Sequence, residues 1–104
     1  MNILVHDEAT VELTNTADEY ERCQPGLGDE FFREYDHAVA GIGRNPDGHP
    51  LLETAPASWG VRRSLLHRFP YAVIFEFKLQ QVRVLAIAHT ARRPNYWNRR
   101  LRSP

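Results

Sequence analysis

Cysteine and lysine are almost missing from this chain of 104 residues: Cys23 is the only cysteine and Lys78 the only lysine. A single cysteine excludes an intrachain disulfide, so packing and polar contacts must hold the fold, as suits a reducing, cytoplasmic compartment. Long apolar runs are absent as well. The N-terminus offers only Ile3, Leu4 and Val5 before His6, Asp7 and Glu8, too short for a signal peptide or a membrane span. There is no internal repeat and no low-complexity stretch. His6, His37, His49 and His67 show no ligand spacing with one another or with Cys23, so neither a metal site nor a cofactor is expected.

What is present is an ordinary globular composition with an unusual distribution. The hydrophobic fraction of 42% and the charged fraction of 25% fit a single domain spanning residues 1–104. The net charge of zero hides a division along the chain. Met1 to Val61 carries twelve acidic residues against Arg22, Arg33 and Arg44, whereas Arg62 to Pro104 carries ten cations against Glu76 alone. Nine of those ten cations are arginine, whose planar fork of donors suits phosphate. Such a ridge reads as a surface for nucleic acid or an anionic partner, gathered on an open sheet face. The plainer reading is that the two halves neutralise each other across the fold.

The residue pattern gives a strand at Asn2–Val5, then a helix capped by Asp7 with Ala9, Leu13, Ala17 and Tyr20 on its apolar line. Pro25-Gly26 ends it. A second helix opens near Leu27 with Phe31, Tyr35, Ala38, Val39 and Ile42 as its stripe, forming an antiparallel hairpin with the first. Residues 43–57, with Pro46, Gly48, Pro50 and Pro56, form a loop. Gly60–Leu66, Tyr71–Phe77 and Val82–His89 then read as a meander of three antiparallel strands, the last central in the sheet. One or two helical turns follow between Asn95 and Leu101. The fold class is α+β, in the order β-α-α-β-β-β, with both helices on one face of a small antiparallel sheet.

That order, and four groups of residues within it, resemble the RelE/ParE superfamily of bacterial toxins from type II toxin–antitoxin modules. The groups are Pro25-Gly26-Leu27-Gly28 followed by Phe31 or Phe32; Val61-Arg62-Arg63 through Arg68-Phe69-Pro70-Tyr71; Val84-Leu85-Ala86-Ile87-Ala88-His89; and Arg92-Arg93-Pro94-Asn95-Tyr96-Trp97. The resemblance implies a growth-inhibiting toxin neutralised by a cognate antitoxin, touching operator DNA only through that antitoxin and involving no membrane. One branch of the superfamily cleaves mRNA on the ribosome without a metal; another inhibits DNA gyrase.

For the cleaving branch the candidate catalytic residues are His89, Arg63, Arg68, Arg92 and Tyr96. His89 is the acid/base candidate, and the arginines would stabilise the phosphorane, with Arg68, His89, Arg92 and Arg93 converging at one end of the sheet. Candidate residues for binding nucleic acid or the antitoxin are Arg62, Arg63, Arg83, Arg92, Arg93, Trp97, Arg99 and Arg100. For Trp97 a hydrophobic latch folding the tail back is the stronger reading. Glu53 in the loop is a conceivable base. One departure weighs against cleavage: the cleaving branch places an arginine directly after the tyrosine of the strand matching Tyr71–Phe77, where this chain has Ala72, and Leu65 occupies a slot that holds lysine there. Ribosome-associated mRNA cleavage stands first among the functional readings, because clustered arginines with His89 and Tyr96 suit RNA; gyrase inhibition, which Ala72 fits, is the alternative, and a non-toxic or decayed nucleic-acid-binding module is the third.

Overall fold

A computed structural model describes residues 2–103. The elements are β1 (Ile3–Val5), α1 (Asp7–Cys23), α2 (Leu27–Arg44), β2 (Val61–Leu65), β3 (Tyr71–Lys78) and β4 (Gln81–His89), with short 3-10 turns at Pro46–Gly48, Ala57–Trp59 and Asn98–Leu101. This is the expected α+β order. The sheet runs β1-β4-β3-β2, so β4 is central, as the residue pattern implies, and β1 is an edge. The meander is antiparallel, and β1 joins β4 in parallel through Ile3–Val82, Leu4–Arg83 and Val5–Val84.

The start of α1 differs from the sequence expectation. The cap is His6, whose Nδ1 accepts the Glu8 amide at 3.1 Å, while Asp7 is the first helical residue. Main-chain geometry decides this: the His6 amide closes the β1–β4 ladder on the Val84 carbonyl at 2.9 Å, so the chain turns into the helix one residue early. Asp7 and Glu8 then lie in the positive first turn of α1.

Two glycines shape the turn between the helices. Gly26 has φ +90°, a left-handed conformation that glycine adopts freely. A Cβ on Gly28 would stand 2.7 Å from the Ala17 carbonyl oxygen, so its absence lets the two helices meet. Glu21 reaches from α1 to accept the amides of Gly26 and Gly28 at 3.0 Å, placing a carboxylate at the N-terminus of α2.

Both faces of the sheet are covered. On one side Ala9, Ala17, Phe31, Tyr35, Ala38 and Ile42 of the helices pack on Val73, Phe75, Val82, Val84 and Ile87. On the other, Val61, Ala72, Ile74, Leu85, Ala86 and Ala88 are buried with Trp97, and Leu52, Ala55, Trp59, Tyr96 and Leu101 pack against them. This second layer overturns the open sheet face expected from the arginine-rich sequence. The apolar residues alternate onto both sides of β3 and β4, and such strands need cover on both faces. A bulge in β4 adds to that layer: Ile74 pairs with Ala86 and Phe75 with Val84, leaving Leu85 unmatched and buried.

β3 and β4 are joined by Leu79 and Gln80, both at positive φ (52° and 61°). A two-residue hairpin loop of this shape favours Asn-Gly, and side chains in this region are strained by about 1 kcal/mol each. Leu79 is also 99% exposed. The double substitution Leu79→Asn and Gln80→Gly should raise stability by about 1 kcal/mol, seen as a melting temperature higher by about 5 °C in calorimetry. An unchanged or lower midpoint would contradict this reading of the turn.

Candidate functional site

The C-terminal segment is drawn onto the sheet by one carboxylate. Glu12, on the polar side of α1, accepts the Ile87 amide at 3.0 Å, the Tyr96 hydroxyl at 2.7 Å and the Arg100 guanidinium at 2.9 and 3.0 Å. Arg100 also donates to the carbonyl of Leu85, the bulge residue, at 2.9 Å. Main-chain groups of β4 are thus satisfied by two side chains where β1 has already ended. Burial works against the charge on Arg100, but the Glu12 carboxylate outweighs it and holds the guanidinium more firmly protonated than usual. Burial and the Glu12 acceptor raise the Tyr96 hydroxyl well above the normal tyrosine range.

Two further clamps complete the tail. Asn95, at φ 61°, exchanges hydrogen bonds with Thr54: its amide donates to the Thr54 carbonyl at 2.6 Å and the Thr54 hydroxyl donates to its Oδ1 at 3.1 Å. Arg83 pairs with Glu76 across the strands at 3.3 Å and donates to the carbonyls of Leu101 and Ser103. Trp97 is 2% exposed, the hydrophobic latch anticipated for it.

Between residues 52–54 and the tail the structure leaves a cavity of about 270 Å³. Its floor is apolar, made by Leu65, Ala72, Ile74 and Ala88, and its walls include Glu53, Arg63, His89, Arg92, Arg93 and Tyr96. Arg63, His89, Arg92, Arg93, Tyr96 and Trp97 are therefore brought together around one cavity, without Arg68. Their donors are partly committed. Arg63 is held by Glu53 at 2.9 Å, and that hydrogen bond and charge lower the Glu53 pKa, leaving its carboxylate a weaker base. The Arg92 guanidinium stacks on the Tyr96 ring, 3.9 Å from its centroid. His89 stands at the rim, edge-on to Tyr71 at 5.1 Å; its Nδ1 accepts the Ala91 amide at 3.0 Å, which leaves the hydrogen of the neutral ring on Nε2.

The other sequence candidates lie elsewhere. Arg68 does not converge with His89: it sits on the helical side, bound to Glu30 at 3.1 Å, with its amide and that of His67 held by Glu34. Arg62 points away from Arg63, as neighbours on a strand must, and donates to the His49 carbonyl at 2.6 Å and that of Asp47 at 3.3 Å. Arg100 is buried on Glu12, and Arg83 serves the tail. Arg93 and Arg99 are exposed, with no carboxylate partner among the described residues. Glu12 itself escaped the sequence reading because it stands one residue off the apolar line of α1, where a solvated carboxylate is the rule. Among the described residues no three His, Cys, Asp or Glu side chains are placed to hold a metal, and no helix is long and apolar enough to cross a membrane.

The Glu12 cluster makes a clear stability prediction. Glu12→Ala leaves Arg100 buried without its counter-charge and should destabilise the chain by about 3 kcal/mol, whereas Tyr96→Phe should cost about 1 kcal/mol. The raised Tyr96 pKa means that its share of the stability is complete below about pH 10 and is lost as pH climbs through the folded-state value. Urea unfolding at neutral and alkaline pH measures both effects; equal midpoints for the wild type and Glu12→Ala would contradict them.

No protein-family model and no curated protein matches the chain. Among solved structures, a chain of the chromosomal ParDE TA system from P. aeruginosa superposes with a TM-score of 0.74 at 20% sequence identity, covering 86% of this chain and 95% of that one. This protein shares the fold of that ParDE-system chain.

Proposed function

We propose that this protein is the toxin of a toxin–antitoxin module, that a cognate antitoxin holds it inactive, and that it acts by binding its target, DNA gyrase, rather than by cutting RNA. The fold shared with a ParDE-system chain and the four residue groups common to the RelE/ParE superfamily support the toxin class. The observation that carries the choice of mechanism is the floor of the cavity. Cleavage needs cations where charge develops on the phosphorane, and here the floor presents Leu65, Ala72, Ile74 and Ala88 while the cations stand only at the walls. Arg63 is neutralised by Glu53, the Tyr96 hydroxyl is spent on Glu12, and Arg68 is on the other side of the molecule.

The same apolar floor with cations at its rim suits an antitoxin segment. One apolar side chain would fill the cavity while acidic neighbours meet Arg92 and Arg93, giving burial and charge complementarity together. A second reading, ribosome-associated mRNA cleavage, draws on His89, whose Nε2–H lies at the rim beside Arg92 and Arg93.

Expression of the chain alone in bacteria should arrest growth, and the co-expressed antitoxin should restore it. Purified protein should inhibit supercoiling by gyrase, and primer extension on cellular mRNA should show no new 5′ ends. His89→Ala should keep its toxicity, whereas removal of a general acid/base lowers cleavage by about two to four orders of magnitude. Arg92→Glu with Arg93→Glu should weaken antitoxin binding at least about tenfold, less so in high salt. Normal growth with folded, soluble protein would overturn the toxin assignment; new mRNA ends lost in His89→Ala would select the cleavage reading.

A further inference from the structure

The tail-covered face of the sheet carries a second groove, near the β3–β4 hairpin. It has a volume of about 510 Å³, and Trp59, Lys78, Arg99 and Arg102 line it together with Glu76. Glu76 already pairs with Arg83 at 3.3 Å, so it does not neutralise the groove's own cations. Lys78, Arg99 and Arg102 are exposed and have no carboxylate partner among the described residues. They are a minority in this protein, where most other arginines of the C-terminal half are engaged.

Local structure aims these groups. Arg99 lies in the 3-10 turn Asn98–Leu101 and Arg102 caps it; residues three apart in such a turn eclipse one another, so both guanidinium groups project on one side. Gly60, at φ +68°, has no side chain, and the stem of Lys78 lies across it, with Cε only 3.1 Å from where a Cβ would be. Gly60 also ends the turn that carries Trp59. Trp59 meets Trp97 edge-on, 6.4 Å between ring centroids and 79° between planes, and is half-buried at the groove wall.

We propose that this groove binds a single-stranded nucleic-acid segment, with a base stacked on Trp59 and successive phosphates on Lys78, Arg99 and Arg102. Cations along a groove with an aromatic platform are what an unpaired strand requires, since every base has a flat face and every step a phosphate. A duplex hides its bases from such a platform. An acidic peptide would meet the cations but gain little from the indole. The inference is separate from the antitoxin cavity, and it is tested on the purified chain with neither antitoxin nor target present.

The probe is a fluorescein-labelled oligo(dT) about twelve nucleotides long, a length that covers such sites. Anisotropy should report binding whose affinity falls with salt on a log–log slope of about −2, the value for three phosphates on a single strand. Arg99→Gln with Arg102→Gln, both on exposed side chains, should flatten that slope by about 1.4. Trp59→Leu should weaken binding about tenfold at unchanged slope, and wild-type tryptophan fluorescence should be quenched by the unlabelled strand. Competition separates the ligand classes: poly-glutamate, AMP and a blunt duplex of equal length should each displace the probe far less well than the single strand. An unchanged slope in the double variant, or displacement by any of these three at concentrations equal to those of the single strand, would overturn the proposal.

Discussion

The carboxylate of Glu12 is the constraint on which the rest of the molecule depends. A helix that follows an edge strand cannot extend the sheet, yet β4 runs beyond the end of β1 and carries main-chain groups that need partners. Glu12 and Arg100 supply them, one for the Ile87 amide and one for the Leu85 carbonyl. The same ion pair brings Tyr96 and the tail over the face opposite the helices, where Trp97 closes the second apolar layer. Edge protection, tail docking and the walls of both grooves therefore share one origin. Because the pair is largely withdrawn from water, its strength lies in its completeness: each partner is costly to bury alone.

The division of charge along the sequence acquires a different meaning in three dimensions. Much of it is internal neutralisation between the halves. Glu8 and Glu12 meet Arg100, Glu30 meets Arg68, and Glu53 meets Arg63. Other arginines act as ties to main-chain oxygen, Arg62 on the loop at residues 47–49 and Arg83 on the tail. Arginine is suited to this, since a planar fork can serve two or three acceptors at once. The cations left over are fewer and fall into two groups, one at the rim of the cavity and one at the second groove.

The legible and illegible parts divide along physical lines. The helix stripes from Ala9 to Tyr20 and from Phe31 to Ile42, the stop at Pro25-Gly26 and the meander follow from periodicity and turn chemistry, which are local. The latch role of Trp97 was also visible, because a large indole near a chain end seeks burial. What periodicity does not carry is the pairing of residues far apart in sequence. Glu12 with Arg100, Thr54 with Asn95 and Arg68 with Glu30 depend on how layers meet, and each partner alone looks like a solvated surface group. The helix cap shifted from Asp7 to His6 for a similar reason, since the β1–β4 ladder fixes where the chain turns. No open basic face forms, because charge along the chain does not set its placement in space, whereas the alternating apolar residues of β3 and β4 demand cover on both sides.

Amide hydrogen exchange, followed residue by residue, tests the role of Glu12 most directly. Ile87 has its amide on a side chain rather than on a neighbouring strand, and Arg100 has its own on the Trp97 carbonyl within a short 3-10 turn. If Glu12 closes the sheet edge and holds the tail, both amides exchange as slowly as that of Val73 in the core, through global unfolding alone. Rapid exchange at Ile87 and Arg100 while Val73 stays protected would show an edge and a tail that open independently, and would contradict this account.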